Sequence, residues 1–211
     1  MVPEPLSVAT DYLRLEMLEG EARLWPSALR PDEAGELFAE LRRTIDWQQE
    51  SILMFGRRVL VPRLVAWHGD PGTSYTYSGT LHQPLPWTSP LARIRDRVSE
   101  LSCARFNAVL LNLYRDGRDG MGWHADDEPE LGRNPVIASV SLGATRRFCL
   151  RHRRRKDLKV DVPLPHGSLL CMSGATQHHW VHALPKTRRP VGERINLTFR
   201  LVVLRPEAGL R

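Results

Sequence analysis

The chain has 211 residues, 42% of them hydrophobic, with 30 lysines and arginines against 24 aspartates and glutamates and a formal net charge of +6. That length suits one domain with a substantial core, or a domain with a small lobe, and no apolar run approaches the ~20 residues of a membrane-crossing helix. The three cysteines, Cys103, Cys149 and Cys171, show no CxxC spacing, which argues against a disulfide framework or a Cys-rich zinc site and fits a reducing compartment.

Residues 1–24 read as an irregular lead-in with charges and no apolar signal-peptide core. Pro31 and Asp32 then open an amphipathic helix whose apolar residues Ala34, Leu37, Phe38 and Leu41 follow the i, i+3, i+4, i+7 pattern. Residues 45–88 are turn-rich, hold many aromatics and show no helical period. A second helix is expected with Ser89 as N-cap, Pro90 at the first helical position, and a stripe of Leu91, Ile94, Val98 and Leu101. From residue 105 onward the chain reads as strands broken by turns: FNAVLLNLYRDG, VIASVSLG, RRFCLRH, SLLCMSG and RINLTFRLVVL alternate or carry β-branched residues. Strands following two helices predict an α+β, mainly β fold with the helices packed on one side of a sandwich or barrel. The basic run Arg151, His152, Arg153, Arg154, Arg155, Lys156 is expected in an exposed hairpin loop.

Two constellations carry chemistry. In RINLTFR, Arg194, Asn196, Thr198 and Arg200 occupy every second position, so they share one face of a strand whose other face is apolar. Arginine stays charged, and burying it without a counter-charge is costly. A small dicarboxylate would supply partners for both. Asn112 and Tyr114 share a face in AVLLNLY, and their amide and phenol can hydrogen-bond a carboxylate. The second constellation is His124-Ala125-Asp126, which places an imidazole and a carboxylate two residues apart on an extended segment, pointing the same way. His182, ahead of a Leu184-Pro185 turn, is the preferred third member, with His178 and His179 competing. Two histidines and one carboxylate on one face of an octahedral metal leave three open positions, as in non-haem Fe(II) oxygenases. His-x-Asp alone is common on surfaces. Combined with a dianion pocket it points to a 2-oxoglutarate-dependent oxygenase whose co-substrate meets an arginine bidentately.

Taken in order, NLYRDGRDGMGWHADDE, IASVSLGA, HALP and RINLTFR resemble the AlkB family of Fe(II)/2-oxoglutarate-dependent nucleic-acid dealkylases, over roughly residues 45–204. The likeness is greatest to its DNA-repair branch with a duplex-preferring member. The resemblance implies a double-stranded β-helix (jelly-roll) core. The regions are then 1–44, N-terminal extension and helix; 45–88, nucleotide-recognition lid; and 89–211, dioxygenase core, in one compact domain. It implies Fe(II), held by His124, Asp126 and His182, with 2-oxoglutarate and dioxygen as co-substrates. The 2-oxoglutarate set is Asn112, Tyr114, Arg194, Asn196 and Arg200, without deciding which arginine holds which carboxylate. The expected reaction hydroxylates an alkyl carbon on a base nitrogen, and collapse of the hemiaminal releases formaldehyde alongside succinate and CO2.

On the substrate side, a base inside a duplex must leave the stack to be reached. Tyr75 and Tyr77 alternate in SYTYSG and are expected to line a base slot, with Tyr77 stacking the base against His124. The resemblance places Asp127 and Glu128 at positions that read the base edge, and equally supports a pairing of Asp127 with Arg63. Met54, Phe55 and Gly56 stand where duplex-preferring relatives carry an apolar wedge. Arg151, Arg153, Arg154 and Arg155, with Lys186, Arg188 and Arg189, are candidates for phosphate contacts. The expected partner is DNA with alkylated bases. An RNA demethylase and a non-catalytic nucleic-acid binder are the alternatives, the latter disfavoured by the intact metal and arginine sets. A monomer is expected, without membrane association, in the cytoplasm of a bacterium or the nucleus of a eukaryote.

Overall fold

The computed structural model describes residues 11–54, 56–73, 75–77 and 80–203. In chain order they form β1 (Leu13–Leu15), β2 (Glu21–Trp25), α1 (Pro31–Thr44), β3 (Ser51–Met54), β4 (Arg57–Leu60), β5 (Leu64–Gly69), β6 (Tyr75–Tyr77), β7 (Thr80–His82), α2 (Ser89–Ser102) and β8 (Ala108–Tyr114). They continue as β9 (Met121–His124), β10 (Ile137–Gly143), β11 (Arg146–His152), β12 (Lys159–Leu164), β13 (Ser168–Ser173), α3 (Thr176–His179), β14 (Trp180–Leu184) and β15 (Arg194–Arg200).

Both long helices form where their apolar spacing predicts. In α1 the first turn carries Asp32 and Glu33 and the last turn Arg42 and Arg43, which suits the helix dipole at each end. The start of α2 differs from expectation by one residue: Thr88 is the N-cap and Ser89 is already helical, with Pro90 in the first turn. The end of α2 is marked by Cys103 in the left-handed region, φ 53°, a conformation in which its Cβ costs free energy that glycine avoids.

Strands β8 to β15 build the core. They divide into a sheet with the order β13-β10-β15-β8 and a facing sheet with the order β12-β11-β14-β9, all neighbours antiparallel. The chain crosses between the sheets at nearly every step, which is the jelly-roll topology. The larger sheet is extended on one side by β2 and β1 and on the other by β5, giving the order β1-β2-β13-β10-β15-β8-β5. The lead-in is therefore not wholly irregular: Glu21–Trp25 pairs with β13 from Leu169 to Ser173. Likewise β5, inside the stretch expected as a lid, pairs with β8 along its whole length. The two hairpins β3-β4 and β6-β7 stand as separate two-stranded sheets.

Every residue of β8 and of β15 is buried, because each has a layer on both sides. The apolar face of the larger sheet, including Leu111, Leu113, Val140, Leu142, Leu197 and Phe199, packs with the α1 and α2 stripes. The opposite face meets the smaller sheet through Leu110, Ile137, Leu170, Phe148, Leu150 and Trp180. At ~1.5–3 kcal/mol for each fully buried large apolar side chain, these two cores are the main favourable term in folding. Gly143 ends β10 at φ +88°, and a Cβ there would lie 2.4 Å from the Glu193 carbonyl oxygen, so the turn into β11 requires glycine.

Candidate metal and dicarboxylate site

The alternation that shares out the apolar residues also assembles a polar patch between the sheets. Register places Asn196 opposite Asn112 on β8 and Ser141 on β10, Thr198 opposite Leu110 and Ser139, and Arg194 opposite Tyr114 and Gly143. A cavity between the sheets is lined by Asn112, Tyr114, Arg194, Asn196 and Arg200, and also by His124, Asp126 and His182. All eight residues expected for iron and 2-oxoglutarate thus line one cavity.

The metal cluster comes from the smaller sheet. His182 on β14 pairs in register with His124 at the end of β9, and their rings meet edge-on with centroids 4.2 Å apart. Asp126 lies just beyond β9, with Oδ2 3.6 Å from His182 Nε2. One donor atom from each of the three residues falls within 4.8 Å of the others. His124 Nδ1 is 2.8 Å from the Gly122 carbonyl oxygen. A carbonyl only accepts, so Nδ1 carries the proton and Nε2 keeps its lone pair. Burial holds His124 below the ordinary histidine range. Burial, reinforced by His124, pushes His182 down to about 3. Burial works the other way on Asp126, but the Arg200 guanidinium and the two imidazoles overcome it and hold the carboxyl at about 2. At neutral pH the cluster is two neutral imidazoles and a carboxylate, the protonation state that a divalent metal requires.

The two arginines of β15 have different surroundings. Six residues at ~3.3 Å each put their Cα atoms about 20 Å apart. Arg200 donates to Asp126 Oδ1 at 2.5 Å, at the metal end. Arg194, at the other end, donates to Ser141 Oγ at 2.8 Å and sits 5.4 Å from the Tyr114 ring centroid. Its Nε is buried without a hydrogen-bond partner among the described residues, and burial pushes its guanidinium down to about 10. A buried cation with a spare donor facing a polar cavity fits a bound carboxylate. Asn112 suits the same ligand: its Oδ1 accepts from Arg63 Nε at 2.8 Å, which leaves its NH2 as a donor. Asn196 plays a supporting part, its Nδ2 donating to Ser139 Oγ and the Val140 carbonyl. Thr198, expected on this polar face, joins it, and Ser139 and Ser141 on β10 are further members that sequence reasoning did not single out. The alternation in IASVSLG carried the same signal as RINLTFR.

Among the described residues a second cluster, Glu19, His152 and His179, also groups three donor atoms. His152 Nδ1 accepts the backbone N–H groups of Arg154 and Arg155, at 3.2 and 3.0 Å. Its proton is therefore on Nε2 and is donated to Glu19 Oε2 at 3.1 Å. This group is a hydrogen-bonded tie between residue 19 and the basic hairpin rather than a metal centre. His179 belongs to it, and His178 bonds Asn134, so of the three competing histidines only His182 joins His124 and Asp126.

The substrate-side expectations divide. Asp127 pairs with Arg153 at 2.6 Å, while Arg63 Nε is committed to Asn112; the expected Asp127–Arg63 pair is replaced because the basic hairpin folds over the metal loop. Arg153 is therefore a tie within the site as well as a surface cation. Arg151 lies 4.4 Å over the exposed Trp123 ring. Arg155 pairs with Asp157, and Arg154 is exposed, as are Lys186, Arg188 and Arg189. Lys186 and Arg189 line a cleft of about 400 Å³ with Arg146 and Arg147. Glu128 is half-buried. Tyr75 and Tyr77 fall on β6 and Met54 at the end of β3, with side chains outside the described residues. Phe55 lies outside them altogether, and Gly56 takes φ +77° in the β3-β4 turn.

A jelly roll that seats two histidines and a carboxylate beside a cation-ended polar cavity has the architecture of the mononuclear non-haem iron oxygenases. The family model described as 2OG-Fe(II) oxygenase superfamily matches residues 21–200. The human protein named DNA oxidative demethylase ALKBH2 is 43% identical over 182 residues, 82% of this chain and 70% of that one. Human alpha-ketoglutarate-dependent dioxygenase alkB homolog 3 is 39% identical over 195 residues, 88% of this chain and 68% of that one. The solved structure of OsALKBH1, at 16% identity, matches the fold with a TM-score of 0.62 over 90% of this chain and 100% of that one. The chain belongs to the 2OG-Fe(II) oxygenase superfamily and, within it, to the AlkB family.

Proposed function

We propose that this protein oxidatively removes alkyl groups from ring nitrogens of DNA bases, with N1-methyladenine and N3-methylcytosine as the substrate class. The observation that carries the reading is the single cavity in which His124, Asp126 and His182 stand together with Arg194, Asn112 and Tyr114. The human relative at 43% identity is named a DNA oxidative demethylase, which supports DNA as the substrate.

In this reading His124 and His182 present neutral imidazole nitrogens to Fe(II), and Asp126 presents a carboxylate kept ionised by Arg200. Arg194, braced by Ser141, receives the far carboxylate of 2-oxoglutarate, and the Asn112 NH2 and the Tyr114 phenol add donors. When bound, iron and 2-oxoglutarate supply oxidation by dioxygen coupled to loss of CO2 and formation of succinate. Leu110, Phe148, Met172 and Leu184 line the same cavity and keep water away from the reacting groups. The hydroxylated alkyl carbon then leaves the base nitrogen as an aldehyde. Asp127, Glu128, Arg63, Tyr75 and Tyr77 are proposed to read the base, Met54 to Gly56 to wedge a duplex, and the exposed cations to meet phosphates. One chain holds every residue of the cavity, so the reading needs no second copy.

The test is anaerobic loading with Fe(II) and 2-oxoglutarate, then air, with methylated single-stranded DNA, duplex DNA and RNA in separate reactions. Equal amounts of formaldehyde and repaired base, with DNA preferred, are expected. Succinate production without base repair on any DNA refutes the substrate, and greater turnover of RNA assigns the alternative.

A further inference from the structure

The carboxylate member of the metal cluster sits where the fold gives its backbone least support. The last ladder pair between β14 and β9 at that end is His182 with His124, and β9 is an edge strand. Asp126, two residues beyond, has no strand carbonyl for its N–H. That N–H donates instead to Gln177 Oε1, 3.0 Å away in a buried bond between residues 51 apart in sequence. Gln177 lies in α3 and is 1% exposed. Among the described residues its amide NH2 has only the Met172 sulfur, at 3.8 Å, a weak acceptor. Burying an amide is costly unless its hydrogen bonds are made, and the strong bond this one makes holds the metal ligand's backbone. The main-chain oxygen of Gln177 accepts from Arg153 Nη2 at 3.1 Å, and the same Nη2 pairs with the Asp127 carboxylate. Gln177 and Arg153 thus grip consecutive residues of the metal loop, while Arg200 orients the Asp126 side chain.

We propose that Gln177 is a positioning residue for the metal-binding carboxylate, its Oε1 holding the Asp126 backbone so that the carboxylate meets the metal in register with both histidines. This rests on the reading of His124, Asp126 and His182 as the metal site. Partners that orient a ligand from behind it typically contribute 10- to 100-fold in metal affinity. Arg200 alone fixes the direction of the carboxylate but not the path of the chain beneath it.

The test is Mn(II) binding to the metal-free full chain, read by electron paramagnetic resonance, with circular dichroism on every variant. Gln177→Met keeps the bulk and removes the acceptor, and Gln177→Glu keeps an acceptor in place. The methionine variant is expected to bind Mn(II) about 10- to 100-fold more weakly, and the glutamate variant within about threefold of the parent. Should Gln177→Met not fold, Gln177→Ala carries the same expected loss. Parent-like binding by the methionine or alanine variant overturns the proposal, as does an equal loss in the methionine and glutamate variants, which would make the role one of packing. Asp126→Ala separates the two levels. If it binds Mn(II) as the parent does, the metal-site reading itself fails; if it loses binding while Gln177→Met does not, only the positioning role fails.

Discussion

Replacing Asp126 by asparagine is expected to destabilise the metal-free protein, because it leaves Arg200 buried without its counter-charge. The Asp126 and Arg200 side chains are 4% and 3% exposed, and their atoms meet at 2.5 Å. Holding the Asp126 carboxyl at about 2 rather than 3.8 amounts to about 2–3 kcal/mol in favour of the charged form in the fold. Asparagine retains an oxygen for Arg200 but strips away its counter-charge, and breaking one side of a buried pair costs about 3–5 kcal/mol. The expected loss is therefore about 3 kcal/mol in urea unfolding at pH 7 with a chelator present, at unchanged m-value. Adding Arg200→Met should recover most of it, giving a coupling above ~1 kcal/mol in the double-mutant cycle. The sign with pH is fixed by the depressed pKa. The parent holds this contribution above about pH 4 and loses it as pH falls towards 2, a dependence the asparagine variant lacks. A loss below ~1 kcal/mol, or no coupling, would refute the claim that this pair stabilises the empty site.

Three further outcomes follow from the same structure. His182, pushed from 6.5 to about 3, binds fewer protons folded than unfolded between those values, so stability falls on acidification by up to ~1.4 kcal/mol per pH unit; urea midpoints of the metal-free protein at pH 7 and 5 should show this slope, and His182→Gln should flatten it. Cys103→Gly, at φ 53° in an exposed helix end, should raise stability by about 0.5–1 kcal/mol in thermal unfolding; a decrease would contradict the assigned backbone. Leu197→Ala, fully buried between β15 and the helices, should cost about 2–5 kcal/mol, whereas Leu60→Ala at an exposed position should cost within ~0.5 kcal/mol in the same assay.

Much of the site was legible because it is written in strand alternation. RINLTFR and AVLLNLY each announce a polar and an apolar face within seven residues, and IASVSLG does the same. The helices were legible for the same reason, their stripes recurring at helical spacing. Partners across the fold are not written in local alternation. The Asp127–Arg63 pair gave way to Asp127–Arg153 because the β11-β12 hairpin arrives from 26 residues downstream. Strand β2 was missed because its alternation, in EARLW, spans only five residues and carries little signal until β13 lies beside it.

The sequence by itself determined which side chains share a face, where the two long helices lie, and the family to which the chain belongs. Local backbone geometry repeats every two or 3.6 residues, so a few neighbours suffice to express it. Only the tertiary structure decided which arginine stands by the metal carboxylate and which by the open end of the cavity, that Asp127 pairs with Arg153, and which buried amide holds Asp126. The arginine placements depend on the register of strands far apart in the chain, where a shift of one residue would turn those side chains to the opposite face, and the Gln177 contact depends on α3 meeting the loop after β9.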